Sequence, residues 1–226
     1  MSGFAIARQK MVDGQVRTND VTDARILEAM LALPRELFVP AGRRALAYLD
    51  QDLDVSEGGA AKRYMIKAQT LAKLLQAAEI EPTDNVLVVG SATGYAAALA
   101  SRLAAKVTAT EGDSALVAEG KKILSQLGMT NIAFEVAAPA DGDSANAPYD
   151  VIVLNGATEV APERLFQQLA EGGRLVGIFA ASKPARATIV TKSHGDLGHR
   201  PLFDASAPVL SGMERVPSFV FQVRPC

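Results

Sequence analysis

Between residues 86 and 179, short apolar runs alternate with helix-patterned stretches, and this alternation constrains the fold more than any other feature. Val86-Leu-Val-Val89 is an apolar run closed by glycine, the pattern of a strand buried on both faces of a parallel sheet. Ala96 to Ala104 reads as a helix and Lys106 to Thr110 as the next strand. Asp113 is placed to cap a helix carrying Leu116, Val117, Ile123, Leu124 and Leu127 on one side, with Gly128 as its stop. Ile132 to Val136 and Tyr149 to Leu154 read as strands. Pro162 opens a helix through Ala170, Glu171-Gly-Gly173 turns, and Arg174 to Phe179 is the fifth strand. Such an order predicts an α/β fold built on a doubly wound parallel sheet. Thr188 to Lys192 and Phe219 to Val223 read as an antiparallel pair on its edge, and Ala137 to Pro148 as the least ordered stretch.

The pattern changes near residue 80. Residues 1–80 read as a helical region packed on the sheet and 81–226 as the α/β domain, together one compact unit. Thr22 is the expected cap of a helix with Ile26, Leu27, Met30 and Leu31 on one face, ended by Pro34. Pro34 to Pro40 reads as a turn or short helix, and residues 50–63 as irregular. Met65, Ala68, Leu71, Ala72 and Leu75 form the apolar stripe of a second helix.

Composition excludes several function classes. The only cysteine, Cys226, rules out an internal disulfide and argues against a cysteine zinc site. A net charge of −2 argues against binding nucleic-acid backbone. The longest uncharged run, Asn85 to Ser101, is interrupted by Gly90 and Gly94, so no membrane span is expected. The opening MSGFAIARQK lacks the apolar core of a signal peptide, which points to the cytoplasm. His194, Asp196 and His199 read as a polar loop between edge strands, and no metal site is expected. The oligomeric state is open.

In an open parallel sheet, ligands bind beyond the carboxyl ends of the strands where strand order reverses. The first strand of the repeating region ends in Gly90-Ser-Ala-Thr-Gly94, a turn whose glycines allow unusual backbone angles and close approach. Glu111 ends the next strand, 21 residues after Gly90, where a carboxylate can accept from both hydroxyls of a ribose. Together they imply an adenosine-type ligand. The competing reading is that the glycines only shape the turn and Glu111 is solvated. A dinucleotide G-x-G-x-x-G is absent, because Ala92 takes the middle position and Tyr95 follows Gly94.

These residues resemble the protein-L-isoaspartate O-methyltransferases over nearly the whole chain. The matching stretches are Met11 to Arg17, Ile26 to Met30, Pro34 to Pro40, Val86 to Tyr95, Tyr149 to Val153 and Gly172 to Val176. The resemblance implies a Rossmann-like class I S-adenosylmethionine-dependent methyltransferase sheet, with an N-terminal helical extension and a C-terminal antiparallel strand pair. It implies S-adenosylmethionine as cofactor, held by Gly90, Ser91, Ala92, Gly94, Tyr95 and Glu111. The acceptor would be a carboxylate on a protein or peptide, held near residues 58–64.

Departures from the family pattern fall at the site. Its Thr-x-Ser-Gln-Pro motif aligns with Gly59 at the threonine and with Ala61, Lys62 and Arg63 at Ser-Gln-Pro. These last three are the substrate-binding candidates, with Lys62 and Arg63 able to attract an acid. No residue is assigned a catalytic role. An acceptor carboxylate is already ionised near neutral pH, and the chief need is in-line placement. Val88 replaces an acid before the glycine turn, and Ala137, Ala138 and Pro139 align with the family's Gly-Asp-Gly. Asp141-Gly142-Asp143 can substitute for it only if the loop shifts. Losing two charged hydrogen-bonding groups costs about 3–6 kcal/mol, or roughly 10² to 10⁴ in affinity. Two readings therefore stay open: an active carboxyl methyltransferase, and a non-catalytic binding or scaffold protein on the same fold.

Overall fold

A computed structural model describes residues 3–56 and 61–216. Its centre is a seven-stranded sheet made of β3 (Asn85–Val89), β4 (Lys106–Glu111), β5 (Ile132–Val136), β6 (Tyr149–Thr158), β7 (Leu169–Phe179), β8 (Arg186–Ser193) and β9 (Asp196–Asp204). The spatial order is β5-β4-β3-β6-β7-β8-β9. Pairing is parallel from β5 through β7 and antiparallel from β7 through β9. Strand order therefore runs in opposite directions on the two sides of β3, and a crevice opens where the crossovers diverge. A two-stranded ribbon, β1 (Leu53–Asp54) with β2 (Tyr64–Met65), lies beside it in sequence.

From Val86 to Val89 every side chain of the central strand is apolar and buried, and alternate residues serve opposite faces. Val86 and Val88 join one apolar cluster with Val107, Ala109 and the helix residues Leu71, Leu75 and Leu99. Leu87 and Val89 join a second with Ile152, Leu154, Leu165 and Phe166. The first cluster also holds Met11, Val16, Ile26, Met30 and Phe38, so residues before position 80 pack in the same core as the sheet.

Several local expectations shift. The pair of antiparallel edge strands is β8 with β9; residues 219–223 lie outside the described residues, as does Gly59. The stretch read as a polar histidine loop is instead the β8–β9 turn and the start of β9. His194 takes φ 53° in that turn, while His199 packs edge-on at 5.8 Å from the Phe166 ring. Met65 belongs to β2, and the helix its stripe predicts, α3 (Ala68–Ala78), starts three residues later. The helix after Pro162, α6 (Glu163–Gln167), ends there because Leu169 already pairs with Tyr149 on β6. Residues 137–148 are held by specific bonds: Asp143 Oδ1 accepts from Ala145 N at 3.1 Å, and the Tyr149 hydroxyl donates to the Asp143 carbonyl at 2.9 Å.

The cap of α2 (Ala24–Ala32) is Asp23, not Thr22: its Oδ1 accepts from Arg25 N at 2.9 Å, while Thr22 N donates to Gln76 Oε1. The Arg25 side chain also donates to this carboxylate, and its hydrogen bond is the main cause of a lowered Asp23 pKa. Asp23→Ala is expected to lower stability by about 1 kcal/mol near neutral pH. A carboxyl whose pKa is depressed on folding contributes above its unfolded value, and the contribution fades as pH falls through the folded one. The difference between wild type and variant should therefore shrink on acidification below pH 4, which urea titrations at several pH values measure.

Candidate functional site

The glycine turn and Glu111 meet at the carboxyl ends of β3 and β4, as the strand pattern requires. Gly90, Ala92 and Gly94 take positive φ values of 69°, 51° and 98°. Glycine adopts these freely; for Ala92 the conformation is strained and must be held by its surroundings. Its clamp is Glu111, whose Oε2 accepts from the Ala92 N–H at 3.0 Å. The other carboxylate oxygen accepts from Asp113 N at 3.1 Å and from Arg63 Nε at 2.8 Å. Glu111 is 1% exposed, so it is not the solvated carboxylate of the competing reading.

The remaining predicted residues divide. Ser91 is buried and spends its hydroxyl on the Val88 carbonyl at 2.9 Å. Tyr95 turns away from the crevice and packs against Phe38, with the Arg35 guanidinium carbon 4.7 Å from its ring centroid. Burial raises the Tyr95 pKa against the opposing pull of Arg35. It is therefore placed to brace the turn from below rather than to touch a ligand. Ala61 and Lys62 are exposed, and Arg63 folds inward onto Glu111. Asp141 pairs with Arg164, and Asp143 caps its own loop, so neither reaches the crevice that Pro139 helps to line.

Two residues at the crevice have no counterpart in the sequence reading. Asn155 follows the apolar run of β6, donates from Nδ2 to the Gly90 carbonyl at 2.8 Å, and leaves a buried Oδ1 with no partner among the described residues. Its place at a strand's carboxyl end was a usable signal. Leu210 lies far along the chain, past the edge hairpin, and nothing local announces it. Its side chain sits against Gly90, and a Cβ on Gly156 would come within 2.7 Å of its Cδ2.

The chemistry of these groups suits an adenosyl compound: a carboxylate, a glycine cradle and an unpartnered amide oxygen at a strand-order reversal. The space does not. Lys62, Arg63, Asn155, Pro139 and Leu210 leave a cavity of ≈ 20 Å³ between them. That admits about one water, against the several hundred Å³ of a small-molecule site. As arranged here, the crevice does not fit S-adenosylmethionine.

Sheet order, glycine turn, acidic strand end and antiparallel edge hairpin together define the Rossmann-like class I S-adenosylmethionine-dependent methyltransferase fold. Comparison with known proteins narrows this. Residues 7–199 match the model of the family described as protein-L-isoaspartate(D-aspartate) O-methyltransferase. The protein-L-isoaspartate O-methyltransferase of Koribacter versatilis is 38% identical over 212 residues, 94% of each chain. That of Roseiflexus sp. is 37% identical over 194 residues, 85% of this chain and 86% of its own. A solved protein-L-isoaspartate O-methyltransferase superposes with a TM-score of 0.80 at 25% identity, over 91% of this chain and 66% of that one. A Plasmodium falciparum structure in complex with S-adenosyl-L-homocysteine shares the fold, with a TM-score of 0.75 at 17% identity over 93% and 99% of the two chains. The chain belongs to the protein-L-isoaspartate O-methyltransferase family. Among the described residues no helix is long and apolar enough to cross a membrane.

Proposed function

We propose that this chain carries its family's activity, methyl transfer from S-adenosylmethionine to a carboxylate on a protein or peptide. One observation carries the reading: the Glu111 carboxylate stands at the end of β4 against the Ala92 N–H of the glycine turn. A ribose diol would meet it there. Gly90, Gly94 and the free Asn155 Oδ1 complete the donor side. Ala61 and Lys62, exposed beside this end of the sheet, are the acceptor-side candidates, with Lys62 supplying charge for an acid. Because the crevice does not fit the donor as arranged, no step of the transfer is derived from it.

Calorimetry with S-adenosylhomocysteine tests the donor half, and binding at micromolar to low-millimolar ligand is the expected result. No heat at several millimolar, from wild type or from variants with an enlarged crevice, would sink it. The acceptor half is tested by Ala61→Ser, which replaces the hydroxyl that the family motif carries. A hydrogen bond to a charged group is worth about 1.5–3 kcal/mol, so methylation of an isoaspartyl peptide should rise by about tenfold or more.

A second reading is favoured by the filled crevice itself. Arg63 on Glu111 and Leu210 on Gly90 are what a non-catalytic descendant would show, one that retains the fold as a binding or scaffold protein. The same calorimetry separates the two.

A further inference from the structure

The groups that close the crevice come from two separate segments, and each covers a different part of it. Arg63 leads into β2, where its carbonyl accepts from Val55 N at 2.8 Å. Its guanidinium lies across Glu111, with the two side chains 15% and 1% exposed. Leu210 follows the edge hairpin. It is fixed to the end of β6 by reciprocal bonds, Ala157 N to the Pro208 carbonyl at 2.9 Å and Leu210 N to the Ala157 carbonyl at 2.8 Å. Its side chain lies on Gly90 and Gly156, neither of which has a side chain to hold it off.

We propose that Arg63 and Leu210 form an intramolecular plug that occupies the donor's place and sets the affinity for it. This rests on the methyltransferase reading above and adds how that site is regulated. Arg63 takes the acceptor lone pairs that a ribose diol would use. Both donors bond an ionised acceptor, but the guanidinium also brings a full opposite charge to 2.8 Å from a carboxylate that is 1% exposed, so the diol does not displace it unaided. Leu210 covers the glycine where a ligand would approach the backbone most closely. Both plug residues sit on connecting segments, whereas Glu111 and the glycine turn sit on the sheet. The plug can therefore leave without rebuilding the cradle. A crevice open a tenth of the time loses about tenfold in apparent affinity, because only the open fraction binds.

The test is calorimetry with S-adenosylhomocysteine on wild type, Arg63→Ala, Leu210→Ala and the double variant, each first shown to unfold cooperatively. Each single substitution is expected to tighten binding by about tenfold, and the double by more. Hydrogen exchange on wild type gives an independent readout: ligand should speed exchange at the Leu210 and Ala157 amides as the segment lifts. If wild type binds and neither variant binds more tightly, the plug is overturned while the methyltransferase reading stands. If even the double variant fails to bind at several millimolar, both are overturned. Should Arg63→Ala not fold, Leu210→Ala and the exchange data decide alone, because Leu210→Ala leaves Glu111 paired.

Discussion

Glu111→Ala is expected to lower folding stability by about 3–5 kcal/mol, the range for removing one partner of a buried ion pair. The substitution strands the Arg63 guanidinium, which is 15% exposed and has no second carboxylate partner among the described residues. It also removes the acceptor of the Ala92 and Asp113 N–H groups, and with it the clamp on a non-glycine residue at φ 51°. Chemical denaturation followed by far-ultraviolet circular dichroism measures the loss. Removing both charges with Glu111→Ala and Arg63→Ala together should cost less than the sum of the singles, because no orphaned cation is left. A loss under about 1 kcal/mol for Glu111→Ala would mean that the pair is wetter and weaker than its burial indicates.

Arg35→Ala should cost about 2–6 kcal/mol, about 1–3 kcal/mol for each of the two buried carbonyls it strands. Arg35 is 1% exposed and ties three parts of the chain together. Its Nε donates to the Ala47 carbonyl at 2.9 Å, its Nη2 to the Ile66 carbonyl at 2.8 Å, and its plane covers the Tyr95 ring. Burial lowers its pKa, which is the signature of a cation kept out of water, yet an arginine stays charged at any pH the protein survives. Truncation to alanine leaves two buried carbonyls unpaired and a cavity under the first helix after the glycine turn. Thermal unfolding of the variant should show the drop, and amide exchange should accelerate on both sides of the lost contact, around residues 47 and 66. A stable variant with unchanged exchange would show that Phe38 and Tyr95 alone hold that junction.

The parts of the fold that were legible in sequence are those where one physical demand acts alone. Val86 to Val89 is buried on both faces, so its apolar run can hardly be anything but a central strand. Asp113 caps α5 (Ser114–Gln126) through Ala115 N and Leu116 N, at the single step between the end of β4 and the first apolar residues of the helix. Where two demands compete, the reading slipped. Thr22 and Asp23 can both cap, but only aspartate also pairs with Arg25. β9 is largely exposed, carries Pro201 and borrows its strand character from β8. At the site, the framework residues Gly90, Gly94 and Glu111 were legible because strand ends are local. Arg63, Asn155 and Leu210 were less so, since their meeting depends on loops separated by up to 147 residues of chain. The same reading that flagged Arg63 as a cation for an acidic substrate could not see that the acid was already inside the molecule.

The outer strand β9 has a consequence for how copies of this chain behave in a crowded solution. It presents Asp196, Arg200 and Asp204 to solvent, and Pro201 lacks the N–H that a further strand would need. A neighbouring molecule arriving edge-on meets charge and a missing donor in the middle of the ladder. Edge-to-edge pairing of two sheets through β9 is thereby disfavoured.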